Sequence, residues 1–290
     1  MKARAHRFLK ACKKNILVAY LRTPIYIFRE FLHRLKDRKY QPNFFPDKAG
    51  EALPLVDELK RTGVILLPGY IQPDPLAELT IAFEEAICKS PIGRYSPDSL
   101  HAEEIFLENA RFLEIALDSY LLEIIGQYFG RRFGLARSAA TRLLPTPPIR
   151  HSSYRWHHDA RGRQLHIMVL LNEVSSGGQH MTYLKGSHNR YYSYRRGVIN
   201  TCFDSDISKI QLGRNSITEV TGRPGTVAIF DSNGLHSGNR NLLGVRDSLL
   251  FCYVTRKHFK PVGYRSKDLS FIPEQKLDVI KFNPNYQIFD

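Results

Sequence analysis

The sequence predicts a mainly β domain with flanking helices, an α+β chain whose second half closes as a β-sandwich or jelly roll. Three observations carry that reading. Up to about residue 129 most apolar residues recur at three- and four-residue steps, the period of a helix. From Phe133 to about residue 257 the chain breaks into short strand-like runs punctuated by Gly, Pro and Asn. A length of 290 residues, 43% of them hydrophobic, supplies a core for one large domain with an appendage and excludes wholesale disorder.

The first element is a basic arm, assigned to residues 1–45. Ala5, Phe8, Cys12, Ile16 and Ala19 form one helical stripe, Pro24 interrupts it, and Ile25, Phe28, Phe31, Leu32 and Leu35 form a second. Residues 1–40 hold twelve of the 42 basic side chains but only Glu30 and Asp37 of the 28 acidic ones, so most of the net charge of +14 sits here. The body, assigned to residues 46–290, is nearly balanced and lacks a basic strand face interleaved with aromatics, which argues against a nucleic-acid binder. A basic amphipathic helix suits an anionic membrane surface. Docking on its own domain or on a second subunit suits it equally, and an Arg-rich, acid-poor start also fits a mitochondrial presequence. The sequence sets no oligomeric state.

Residues 40–54, with Pro42, Pro46, Gly50 and Pro54, read as a linker. Leu55–Leu59 ends in Gly63 and a short buried strand before Pro68-Gly69. Pro73–Lys89 is an amphipathic helix carrying Leu76, Leu79, Phe83 and Ile87, residues 90–101 form a loop, and 103–129 are one or two further helices. Cys12, Cys88, Cys202 and Cys252 lie far apart with no CxxC pair, which excludes a thiolate zinc site and a disulfide scaffold and suits a reducing compartment. No stretch approaches the ~20 apolar residues of a spanning helix. The expected location is therefore cytoplasmic, peripheral on a membrane if the arm binds one.

The most informative segment is Tyr154-Arg155-Trp156-His157-His158-Asp159. On an extended chain His157 and Asp159 share a face and His158 points away. An imidazole beside a carboxylate is half of a site for a divalent ion. A third ligand comes from the strand 225–231, entered through Pro224-Gly225 and leading to His236 in a small-residue loop. Two histidines and one carboxylate form a facial triad that leaves positions open for iron(II) to take a bidentate cosubstrate and O2. Ten residues on, Arg246 opens an otherwise apolar strand; an inward guanidinium there needs an anion and matches a carboxylate bidentately, with Ser248 on the same face.

With these residues the chain resembles the iron(II)/2-oxoglutarate-dependent dioxygenases, most nearly the phytanoyl-CoA dioxygenase family. The strand Gln164–Val174, the loop Tyr183-Leu184-Lys185-Gly186-Ser187-His188 (a "pGSH" element with lysine for the usual proline) and the segment Leu59–Tyr70 match that family in order, over roughly residues 55–257. The resemblance implies a double-stranded β-helix core, iron ligands His157, Asp159 and His236, and 2-oxoglutarate bound through its distal carboxylate by Arg246 with Ser248. It implies oxidative decarboxylation to succinate and CO2 coupled to hydroxylation of an unactivated C–H bond. Halogenating relatives replace the carboxylate ligand, and Asp159 is present. In the family His188 belongs to a structural loop; His151, His166 and His180 read as loop or core histidines. His158 reads as a contact beyond the metal ligands, and Trp156 as packing or as a stacking surface for substrate.

Arg150, Arg155, Arg161 and Arg163 bracket the HxD, and Arg190, Arg195 and Arg196 follow the GSH loop, accompanied by tyrosines. They fit either a solvated rim or the binding of a small anionic, possibly lipid-linked substrate; Arg155, His158, Arg161 and Trp156 are the substrate candidates. The alternative to an enzyme is a non-catalytic jelly-roll binding module that keeps the triad, tethered by the arm.

Overall fold

A computed structural model describes residues 46–89, 99–107, 109–147, 156–159, 164–189, 217–255 and 272–281, together with Phe28, Phe44 and Tyr154. The arm, apart from Phe28 and Phe44, and Arg150, Arg155, Arg161, Arg163, Arg190, Arg195 and Arg196 lie outside the described residues.

Helix α1 (Ala49–Thr62) begins inside the stretch expected to be a linker. Pro54 sits within it and forgoes one backbone hydrogen bond, but Ala52, Val56 and Leu59 are buried on one face, and packing outweighs the breaker. Gly63 ends the helix in the left-handed conformation, its N–H donating to Leu59 O, and β1 (Val64–Leu67) follows. Helix α2 (Pro73–Cys88) starts on Pro73 and buries Leu79, Ala82, Phe83 and Ile87.

The end of the expected 90–101 loop and the start of the expected 103–129 helical region are instead β2 (Ser99–Glu103), an edge strand held by the longer strand beside it. Helices α3 (Ala110–Ala116) and α4 (Ser119–Phe129) are capped by the side chains of Asn109 and Asp118. Strands β3 (Gly134–Leu143), β4 (Gln164–Leu170), β5 (Met181–Leu184), β6 (Ile217–Val220), β7 (Val227–Asp231), β8 (His236–Gly238) and β9 (Arg246–Val254) follow, and α5 (Glu274–Lys281) lies near the end.

The strands form a six-stranded sheet in the order β1-β7-β4-β9-β3-β2 and a three-stranded sheet in the order β6-β5-β8, with every named pair antiparallel. Alternation divides the large sheet. Leu165, Ile167, Val169, Val227, Ile229, Leu249, Phe251 and Tyr253 join the core shared with the helices. Met168, Leu170, Ala228 and Phe230 turn to the other face, where they meet Met181, Tyr183 and Val220 of the small sheet. Two packed sheets with helices covering one outer face satisfy the sandwich expectation.

Candidate active site

A cavity of about 410 Å³ opens between the two sheets. Its wall follows the ladder of the large sheet. Thr141 and Leu143 of β3, Arg246, Leu250 and Cys252 of β9, His166 and Met168 of β4 and Phe230 of β7 all look into it. His157, Asp159 and His236 close one side.

Those three side chains converge, with one donor atom from each lying within 4.8 Å of the others. The expected regular strand at the HxD is only a two-residue bridge, yet the pairing survives because both residues are hung on the same chain. His157 and His236 exchange backbone hydrogen bonds of 2.9 and 2.8 Å, and Asp159 N–H donates to Ser232 O at 2.9 Å. His157 Nε2 and His236 Nε2 lie 3.8 and 3.9 Å from Asp159 Oδ1. His236 Nδ1 is 3.0 Å from Gly234 O, so Nδ1 carries the proton and Nε2 keeps its lone pair for a metal.

The turn that delivers His236 is built by the GSH loop. Ser187 Oγ accepts from Leu235 N at 2.7 Å, Asn233 Nδ2 donates to His188 O at 2.9 Å, and Gly186 N donates to Thr62 O at 2.7 Å. Tyr183 donates to Asp231 O and lies nearly parallel to the His236 ring, its oxygen filling the space a side chain at Gly234 would need. His188 faces Lys60 O at 3.0 Å, in keeping with a structural role.

Electrostatics suit a cation. Burial pushes His236 and His166 down to about 4, leaving both neutral near pH 7. Burial would raise Asp159, but the surrounding His236, His166 and His157 outweigh it and hold the carboxyl below its usual value. Arg246 is buried; one nitrogen donates to Gln179 O at 2.8 Å while Nε has no hydrogen-bond partner among the described residues. Desolvation pushes it down to about 10, so it stays charged near pH 7, and no carboxylate pairs with it among the described residues. A carboxylate ligand at Arg246, with a divalent ion at the three donors, fits this donor set. Ser248 is buried on the same face of β9.

Trp156 and His158 are buried and do not line the cavity. Arg155 and Arg161 lie outside the described residues. Two cavity residues escaped the sequence reading. His166, taken for a loop or core histidine, lies with its Nε2 3.9 Å from Asp159 Oδ2 and 2.7 Å from Gln164 Nε2. The alternation of Gln164 and His166 with Leu165 and Ile167 was the available signal. Arg137 also lines the cavity.

No protein-family profile matches the chain. An ectoine dioxygenase of Stutzerimonas stutzeri (strain A1501) is 23% identical over 238 residues, covering 71% of this chain and 78% of the relative. An ectoine dioxygenase of Sphingopyxis alaskensis is 26% identical over 185 residues, 55% of this chain and 60% of the relative. The crystal structure of EctD from S. alaskensis with bound Fe superposes with a TM-score of 0.57 at 23% identity, over 69% of this chain and 75% of that one, and the same protein is also known with 2-oxoglutarate and 5-hydroxyectoine. The structural likeness gives the double-stranded β-helix fold. Taken with the curated relatives and the convergent His-Asp-His group, it makes the chain an iron(II)/2-oxoglutarate-dependent dioxygenase similar to the ectoine dioxygenases.

Proposed function

We propose that this chain hydroxylates an unactivated C–H bond of a small anionic substrate, with His157, Asp159 and His236 holding the iron and Arg246 the distal carboxylate of 2-oxoglutarate. The observation that carries the reading is the placement, in one cavity, of three convergent metal-ligating side chains and a buried arginine with an unsatisfied nitrogen. Bound iron(II) supplies the oxygen activation that couples decarboxylation of 2-oxoglutarate to C–H oxidation. The chain's own residues do the rest. Gly234 O fixes the His236 tautomer, and the backbone of β8 and Ser232 orients His157 and Asp159. The Gln179 carbonyl aims the guanidinium of Arg246. Met168, Met181, Phe230 and Leu250 keep the middle of the cavity apolar, which limits water near the reacting centre.

The curated relatives are named after ectoine, and a small-molecule substrate suits a cavity of about 410 Å³. A lipid-linked substrate belongs to the same proposal through residues 1–45, whose excess of Lys and Arg suits an anionic membrane surface.

Anaerobic addition of iron(II) and 2-oxoglutarate tests the assignment. A weak visible charge-transfer band is expected in the wild type, lost in His157→Ala and weakened in Arg246→Ala. Admission of air should then yield succinate. Absence of the band in folded protein would overturn the ligand set; a band without succinate would leave the non-catalytic binding module.

A further inference from the structure

Asp159 is held more loosely than the two histidines it accompanies. His236 opens β8 and His157 is bridged to it by two backbone bonds, whereas Asp159 lies outside the named strands and hangs from Ser232 O by its N–H. The χ2 torsion of an aspartate is broad, so the turn of its carboxylate is set by what surrounds it.

The two oxygens of that carboxylate nevertheless face different neighbours. Oδ1 meets both metal-site imidazoles, 3.8 Å from His157 Nε2 and 3.9 Å from His236 Nε2. Oδ2 meets a third imidazole, lying 3.9 Å from His166 Nε2. His166 is the rigid member of this last pair. It stands on β4, an interior strand of the large sheet, and pairs with Phe230 of β7 on one side and Cys252 of β9 on the other. Its ring is buried and lies edge-on to Phe230, with centroids 5.1 Å apart. Its Nε2 is engaged by the Gln164 amide at 2.7 Å, and Gln164 is in turn hydrogen-bonded to the side chain of Cys252.

That engagement decides what His166 can do. A nitrogen already held by Gln164 is not free to serve as a fourth metal ligand, and at 3.9 Å it makes no hydrogen bond to Oδ2. What the ring supplies is a wall beside Oδ2. It fills the space into which the carboxylate would otherwise turn, and leaves Oδ1 as the oxygen presented to the two histidines.

We propose that His166 is a positioning residue that keeps Asp159 a one-oxygen ligand, so that one place on the metal stays open for dioxygen beside 2-oxoglutarate. This rests on the dioxygenase reading above and adds the residue that preserves the dioxygen place. Two imidazoles and one carboxylate oxygen leave an octahedral ion three places, two for a bidentate cosubstrate and one for dioxygen. A carboxylate bound through both oxygens takes one of the three. The cosubstrate would still chelate in the two that remain, and dioxygen would have none. Loss of His166 therefore separates two affinities that a general loosening of the site would lower together.

The test uses the full chain loaded anaerobically with iron(II). Binding of 2-oxoglutarate is followed by the charge-transfer band. Nitric oxide, standing in for dioxygen, is then titrated onto the complex and followed by electron paramagnetic resonance. His166→Ala and His166→Ser should each bind 2-oxoglutarate within about twofold of the wild type and nitric oxide about tenfold more weakly. Two truncations are used because a buried position can fold with one and not the other. His166→Gln, which keeps a planar polar side chain in the same space, should recover most of the nitric oxide affinity. Unchanged nitric oxide affinity in the truncated variants, or a parallel loss of both affinities, overturns the positioning role and leaves the dioxygenase reading intact. Absence of the band in the wild type brings down that reading, and this inference with it.

Discussion

His236 and His166 are imidazoles kept neutral by burial, and this has a measurable consequence in the metal-free protein. Both are held at about 4, against about 6.5 in an unfolded chain. Above pH 6.5 neither form carries the proton and stability is unaffected. As pH falls from 6.5 towards 4 the unfolded chain binds protons that the folded one refuses, so stability is lost across that window. Between pH 7 and pH 5 each histidine should cost about 2 kcal/mol. Urea unfolding of the metal-free protein at the two pH values measures it, and a stability that is flat over this range would contradict the burial argument. Arg246 does not titrate in this window, and Asp159, already held low, remains ionised through it.

At the scale of an element, the turn between β7 and β8 matters more than either strand. Its geometry is imposed from outside by Ser187, Tyr183 and the His188 carbonyl, to which Asn233 of the turn donates. Ser187→Ala removes the acceptor for Leu235 N–H in a fully buried position. The unsatisfied amide should cost about 1–3 kcal/mol, and the loosened turn should weaken cobalt(II) binding at the His-Asp-His group. Denaturation and a cobalt titration check the two effects. Full stability in this variant would show that the GSH loop does not support the turn. The lysine of this loop, Lys185, stands where the family it resembles has proline, and the Gly186 N–H and the His188 imidazole hold the loop without it.

Across the whole molecule, Phe44 packs with the described core. Although it falls on the arm side of residue 45, its N–H donates to Glu123 Oε2 at 3.0 Å and its ring meets Phe133 edge-on. A deletion made ahead of it, removing residues 1–40, should therefore leave the body folded, with the iron and 2-oxoglutarate band unchanged. The same deletion removes twelve basic and two acidic residues and should release the protein from vesicles containing anionic lipid. Co-sedimentation of the full and shortened chains decides it; equal binding by both would assign any membrane affinity to the body. Among the described residues no helix is long and apolar enough to cross a membrane.

The sequence alone determined what depends on local pattern. The strand runs, the helix Pro73–Cys88, the HxD and the distant His236, and the inward Arg246 could all be read because strand alternation and the cost of an unpaired buried charge act within a few residues. It misjudged residues 49–54, because the burial that stabilises α1 against Gly50 and Pro54 comes from other parts of the chain. Only the tertiary structure could place His166 beside Asp159 and turn Arg137 into the cavity. The first depends on a ladder joining strands far apart in sequence, and the second on one unpaired residue, Ala136, which is a bulge only by reference to the strand that β3 pairs with.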